Sequence, residues 1–316
     1  MGRNKRRRRP DPPGPMGFLV VDKPVGMTSH DVVDEARRWL GIRKVGHLGT
    51  LDPLATGVLP LAIRGATKLV PFLAAGQKAY VGTIRLGEST DTFDAEGRVT
   101  YEHDGPLPDE QVVKQALQSF VGEIQQLPPM YSSVKKDGVP LYRLARKGEE
   151  VERELRPVTI HEICMPAYAP PEISIEVYCS PGTYVRTLAA DLGEKLGCGA
   201  HLSGLRRTRS GPFTLEQART PEAWESLADA GELESALIPP DEALELPRVR
   251  LTAVQARKVG HGAAIPVAEA SGDFETGPPP RPGDQLAAVL PSGELLAVME
   301  LRPDRWLHPL RLLEGS

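Results

Sequence analysis

Short apolar runs, each closed by glycine, proline or an acid, set the rhythm of this chain. "MGFLVVD" at 16–22 is apolar at nearly every position and stops at Asp22, the pattern of a short buried strand. The spacing then changes. Val32, Val33, Ala36, Trp39 and Leu40 recur at helical intervals in "TSHDVVDEARRWLG", with Thr28 or Ser29 as the cap and Gly41 as the stop. A loop, "GHLGTLDPLATGVL", leads into the apolar run "VLPLAI". "AYVGTIRLG" alternates like a strand and ends in the polar turn "ESTDTFDAEGR". Residues 109–121 return to helical spacing, with Val113, Ala116, Leu117 and Phe120 on one side.

Farther along, Ile173, Ile175, Val177 and Cys179 share one face of "EISIEVYC". "SPGT" breaks that strand. "YVRTLAADLGEKLG" then begins a helix, with Leu188, Leu192 and Leu196 at four-residue steps. Such a strand–turn–helix unit carries Tyr184 and Arg186 to a sheet's rim, where sites are commonly built. The strands read as half-buried and hairpin-linked. That favours an α+β fold, with a mixed, largely antiparallel sheet flanked by helices, over a doubly wound parallel one. Near Ile238 the composition shifts, and "IPPDEALELP" reads as a linker. Beyond it come the short strands "RVRLT", "AAIPV", "QLAAVL", "LLAVMEL" and "HPLRLL", with a flexible loop at "ASGDFETGPPPRPGD". The expected division is a tail at 1–15, a main domain at 16–240 and a small β-rich domain at 247–316.

Charge changes this picture at one end. The formal net charge is −4, but "RNKRRRR" places six basic residues within the first nine. Without them the body holds 32 basic against 42 acidic side chains, so bulk charge argues against a nucleic-acid binder. A local basic groove on an acidic body stays possible. The tail reads as disordered, either a solubilising segment or an accessory RNA contact. Three cysteines without framework spacing suit a reducing compartment. No apolar run approaches the ~18 residues of a membrane span, and a cytoplasmic protein is expected.

Candidate chemistry is sparse. "CGAH" pairs Cys198 with His201, but zinc needs two more ligands, and Cys164 and Cys179 stand apart. Neither GxGxxG, a P-loop nor a G-x-S-x-G elbow occurs. The expected chemistry therefore uses side chains alone, with no metal and no cofactor. Asp52 is the best candidate. Taken alone, its stretch reads first as a turn, since aspartate before proline is common there. The alternative is a carboxylate held rigidly by Gly46, Gly49 and Pro53 for use as a nucleophile. An adjacent guanidinium would lower its pKa and keep it ionised. Tyr80, Tyr184 and Arg186 each have a packing or solvated reading as well. "PPMYSSVKKDGVPLYRLARKG" and "LRRTRSG" interleave aromatic and basic residues, either as solvated helix faces or as a surface for phosphates and stacked bases.

Read jointly, "LVVDKPVGMTSHD", "KVGHLGTLDPLATGVLPLAIRGATKL", "YVGTIRLGESTDTFDAEG", "PPMYSSVKKDGVPLYRLARKGEEVER" and "GTYVRTLAADLGEKLGCGAHLSGLRRTRSGPF" resemble the bacterial tRNA pseudouridine synthase B family, in the same order and over nearly the whole chain. The resemblance implies the pseudouridine-synthase fold around a central cleft, with a PUA-like domain that touches RNA at the C-terminus. It implies isomerisation of uridine 55 in the T-arm of tRNA, without a cofactor, by a monomer needing no obligate protein partner. By the same resemblance Asp52 is the catalytic aspartate and Arg186 the arginine that pairs with it and keeps it charged. Tyr80 stacks on the flipped uracil. His47 fills space beside the displaced nucleotide, and Leu205 lies near the base, followed by basic Arg206 and Arg207. Lys23 and Pro24 support the catalytic loop, and Tyr184 flanks Arg186. Two alternatives remain at this point: an RNA-binding or tRNA-folding protein on the same fold, and a related synthase for another RNA.

Overall fold

The computed structural model describes residues 11–132, 134–136, 138–145, 147–149, 151–268 and 280–313. The basic run of the tail and most of the "ASGDFETGPPPRPGD" loop lie outside these residues. Residues 11–15 lie within them and pack on the body. Asp11 accepts from the backbone N–H of Arg43 and Lys44, and Arg64 Nη1 donates to the Pro15 carbonyl at 2.8 Å.

The first apolar run forms β1 (Gly17–Lys23), and α1 (Ser29–Leu40) follows. Thr28 caps this helix by a reciprocal box with Asp31, and Gly41 closes it in the left-handed region. Next come β2 (Val45–His47), β3 (Ala55–Ile63) and β4 (Lys78–Leu86). After a small hairpin, α2 (Glu110–Gln118) leads to β5 (Gly122–Gln126), β6 (Arg156–Ala169) and β7 (Glu172–Cys179). The chain continues through α3 (Val185–Leu196), β8 (Ala200–Ser210), β9 (Phe213–Thr214) and α4 (Pro221–Asp229).

These strands form one nine-stranded sheet in the order β1-β3-β8-β4-β7-β6-β5, with β2 on β3 and β9 on β8. Every pair in it is antiparallel except β3–β8, so the sheet is mixed and largely antiparallel. The helices α2 and α3 bury Val113, Leu117, Leu188 and Leu192 against β4, β6, β7 and β8. Each such side chain contributes roughly 1.5–3 kcal/mol by leaving water. At the other end α1 packs with β1, β3 and Trp224 of α4, whose indole Nε1 donates to the Val20 carbonyl at 3.0 Å.

The central β3–β8 crossing is very close. Gly57 has φ 97°, and a Cβ there would meet the Arg207 carbonyl oxygen at 2.2 Å. Only glycine lets the two backbones pair at this point.

The C-terminal strands β10 (Arg248–Arg250), β11 (Ile265–Pro266), β12 (Gln285–Val289), β13 (Leu295–Leu301) and β14 (Trp306–Leu312) form a second, five-stranded sheet around its own apolar cluster. Two features differ from the sequence reading. A helix, α5 (Ala253–Gly260), caps this sheet where only strands were expected; of its two valines only Val259 faces the core while Val254 is exposed, so no apolar period shows. The expected linker is packed rather than loose. Ile238 exchanges backbone bonds with Phe18, and Ala243 and Leu244 are buried with Ala287 and Val298.

Candidate active site

Asp52 sits on the loop between β2 and β3, and three elements and a turn clamp that loop. Ser29, the first residue of α1, takes both ends of one residue's backbone: its Oγ accepts from Leu51 N at 2.8 Å and donates to Leu51 O at 3.0 Å. The Pro53 carbonyl accepts from Gly26 N at 2.9 Å and from Lys23 Nζ at 3.3 Å. Arg207 of β8 donates to the Gly49 carbonyl at 3.2 Å and the Thr50 carbonyl at 3.4 Å. Such a mount fixes the direction of the carboxylate before any ligand arrives. Of the two glycines expected to make the turn, Gly49 has φ 150°, whereas Gly46 is an ordinary member of β2.

Arg186, in the first turn of α3, meets this loop from the opposite wall. Its Nε lies 2.9 Å from Asp52 Oδ2, an ion pair whose N–H is not aligned as a hydrogen bond. Nη1 reaches Asp94 Oδ2 at 3.1 Å and the Thr92 carbonyl at 3.3 Å, and Nη2 donates to the Tyr131 carbonyl at 2.8 Å. A cation at a helix N-terminus opposes the helix dipole, and two carboxylates offset that cost here. Asp94, 3 % exposed, also accepts from Thr92 Oγ1 and from Glu96 N, which fixes its rotamer.

The ion pair does not lower the Asp52 pKa below the ordinary value, as the sequence reading expected. Burial in the cleft is the larger influence and raises it, while Arg186 is the strongest opposing one. The carboxylate side chain keeps 36 % exposure because it faces open cleft rather than packed protein. The guanidinium thus limits the rise in pKa and does not reverse it.

A cavity of about 240 Å³ opens over this pair. Its wall includes Asp52, Tyr80, Tyr184, Arg186, Leu205 and Arg207. Tyr80 stands on β4 opposite Arg207 of β8, and burial raises its phenol pKa. Tyr184 caps α3, and the Gln126 side-chain amide fixes it by accepting from its N–H and donating to its carbonyl. Leu205 packs on both core clusters below the cavity.

Of the other expected residues, His47, Lys23 and Arg206 lie off this wall. His47 is half-buried at the base of the loop. Its Nδ1 accepts from Gly49 N at 3.3 Å, and burial lowers its pKa. Lys23 is fully buried and donates to the Pro24, Met27 and Pro53 carbonyls, the last of them on the Asp52 loop. Arg206 makes a bidentate pair with Asp22, 2.7 and 3.0 Å, on the other face of β8. Arg207 departs from the expected free basic cluster. It is 1 % exposed, and its guanidinium is engaged by backbone carbonyls, including Val58 O at 2.7 Å, and by the Tyr80 hydroxyl. A guanidinium so engaged holds the loop. The aromatic-basic segment around 131–147 carries a two-stranded hairpin and the short helix Leu141–Ala145, and Tyr142 and Arg146 fall outside what can be described.

Sequence reasoning passed over Asp94, Ser29 and Lys78. Asp94 lay inside a stretch read as a polar turn, Ser29 was read only as a cap, and Lys78 fell just before the strand read from Ala79. Cys198 and His201 bond to nearby backbone, at Gly199 O and Glu88 O, and no cluster of three metal-ligating side chains occurs among the described residues. Nor is any described helix long and apolar enough to cross a membrane.

A mixed sheet with a cavity against it, walled by an arginine-paired aspartate on a clamped loop and by a tyrosine, defines a pseudouridine-synthase fold. Two solved structures share it over 95 % of this chain. One is described as "Structure of H/ACA RNP bound to a substrate RNA containing 2'-deoxyuridine" (TM-score 0.71, 27 % identity, 85 % of that chain). The other is "Crystal Structure of a Cbf5-Nop10-Gar1 Complex" (TM-score 0.68, 31 % identity, 81 % of that chain). Residues 37–185 match the TruB family pseudouridylate synthase N-terminal domain, and residues 186–245 match the tRNA pseudouridylate synthase B C-terminal domain. Proteins named tRNA pseudouridine synthase B are 49 % identical in Geobacter sulfurreducens (78 % of this chain, 81 % of the relative) and 46 % identical in Syntrophotalea carbinolica (88 % and 90 %). The chain belongs to the TruB family of pseudouridylate synthases.

Proposed function

We propose that this protein isomerises uridine 55 in the T-arm of tRNA to pseudouridine, with Asp52 as the essential catalytic group. The observation that carries this reading is the Asp52–Arg186 pair at 2.9 Å, facing a cavity also walled by Tyr80. Relatives named for the same activity, at 46–49 % identity, support it.

The reaction breaks the N1–C1′ bond, turns the uracil and joins C5 to C1′. The C5 proton is lost and one is gained at N1, so the nucleotide's composition is unchanged. Asp52 supplies the lone pair that starts this sequence. Arg186 steadies the carboxylate and, through Asp94, is itself held in place. The target base must leave its stack, at a cost of roughly a few kcal/mol. Stacking on Tyr80 returns about 1–3 kcal/mol of that. Leu205 and Tyr184 close the apolar side and exclude water. His47, at the loop's base, occupies space beside the displaced nucleotide. Lys23 and Arg207 act indirectly by holding the Asp52 loop, and Arg206 meets the RNA only by leaving Asp22.

In this reading residues 16–240 form the catalytic unit and 247–316 a PUA-like RNA-binding unit, with the basic tail as an accessory phosphate contact. The protein works in the cytoplasm as a monomer on free tRNA, without a protein partner.

The test is an isolated T-arm stem-loop transcript, assayed for pseudouridine alongside binding. Asp52→Asn is expected to abolish turnover and leave binding largely intact. Normal turnover by that variant removes Asp52 from the chemistry.

A further inference from the structure

Two lysines are buried near the cavity, and their protons are used very differently. Lys23 Nζ donates to three carbonyls, so its ammonium is fully satisfied. Lys78 is 6 % exposed, yet among the described residues its Nζ donates only to Ser210 Oγ, at 3.0 Å. Its cross-strand neighbours are Cys179 on β7 and Ser210 on β8. Neither brings a negative charge, since burial pushes the Cys179 thiol up to about 11. The next charged group is the Arg207 guanidinium, which repels it. Two ammonium protons are therefore left without a protein partner, in a place where desolvation makes this costly.

Position explains the arrangement. Lys78 precedes Tyr80 by two residues on β4, so both side chains leave the same face of the strand. Both also line the cavity that holds Asp52. Burial brings the Lys78 pKa down to about 8, and the group stays mostly protonated at neutral pH.

We infer that Lys78 is a further substrate-contacting residue, whose ammonium donates to an electron-rich oxygen of the nucleotide held in the cavity, either a uracil carbonyl or a flanking phosphate. This rests on the function proposed above. Cleavage of N1–C1′ leaves an electron pair on the uracil, spread from N1 onto the carbonyl oxygens. A fixed cation beside such an oxygen stabilises that charge as it forms. Beside a phosphate, the same cation holds the flipped backbone.

Lys78→Met keeps the length and apolar stem and removes the charge. The expected result is a loss of roughly ten- to a hundredfold in kcat/KM on the T-arm stem-loop, the size of one charge-assisted hydrogen bond. The thermal melt is expected to stay at or above that of the wild type, because an unpaired buried charge has gone. A melt that falls together with activity marks a structural lysine and overturns the inference. So does a native melt with unchanged kcat/KM.

Altered substrates locate the oxygen. One set carries 2-thiouridine or 4-thiouridine at the target, and another carries methylphosphonate at each flanking linkage. The substitution that removes the lysine's partner slows the wild type but slows Lys78→Met no further. Losses that multiply for every substitution overturn the inference. Wild-type turnover on the unmodified stem-loop tests the pseudouridine reading separately, and its absence would sink that reading rather than this one.

Discussion

Ser29→Ala probes the mount of the catalytic loop more directly than any change at Asp52. Ser29 is 3 % exposed, and its hydroxyl both accepts from and donates to the backbone of Leu51, the residue before Asp52. Alanine in the first turn of α1 is no worse for the helix, and improves it by a few tenths of a kcal/mol. Against that gain, the buried N–H and C=O of Leu51 both lose their side-chain partner, each costing about 1–3 kcal/mol. The balance is a net destabilisation of about 2–5 kcal/mol. The same loss frees the segment that aims Asp52, and a displacement of about 1 Å at a reacting group costs on the order of a hundredfold in rate. Urea unfolding gives the first quantity, and single-turnover conversion of the T-arm stem-loop gives the second. Ser29→Thr, which keeps the hydroxyl, should recover a large part of both. Equal urea midpoints and equal rates for Ser29→Ala and wild type would refute the reasoning. Lost stability with an unchanged rate would show that the loop holds its aim without this clasp.

Three further outcomes are expected. Burial raises the Asp52 pKa above its ordinary value, so the acid limb of kcat/KM lies above that of an exposed aspartate, and Arg186→Gln moves it higher by removing the strongest opposing charge; a pH–rate profile checks both, and an unmoved limb in the variant contradicts the pairing. In stability the sign follows from the folded chain holding this proton more tightly than the unfolded one: the Asp52 contribution falls as pH rises from the unfolded value of about 3.8 through the raised folded value. Gly57→Ala forces a methyl to 2.2 Å from the Arg207 carbonyl at φ 97°, and a destabilisation of about 3 kcal/mol or more is expected by urea unfolding; a variant as stable as wild type would mean that β3 and β8 separate there at little cost.

Much of the framework is local, and local signals were enough to read it. The Thr28 cap, the Gly41 stop and the apolar stripe of α1 lie within fourteen residues of one another and need no distant partner. The alternation of β7 and the four-residue steps of α3 are equally self-contained. Where the period was short or diluted, it failed: α5 went unread, and the packed segment near Ala243 looked like a linker because its apolar contacts come from remote parts of the chain.

The candidate site divides along the same line. Sequence alone determined that Asp52 lies on a tight loop ahead of an apolar strand, that Tyr80 sits on an alternating strand, and that Arg186 opens a helix. It also carried, through several motifs in one order, the family to which they point. Only the tertiary structure decided what each charge does. Arg207 and Arg206 are neighbours in a basic run, yet β8 turns one inward to hold the Asp52 loop and the other outward to Asp22. Lys23 and Lys78 are the same residue type, yet one is saturated by carbonyls and the other has protons to spare. The physical reason is that a charge's role depends on which donors, acceptors and solvent surround it, and the deciding neighbours, Pro53 for Lys23, Gly49 for Arg207, Asp22 for Arg206 and Ser210 for Lys78, all lie on distant segments.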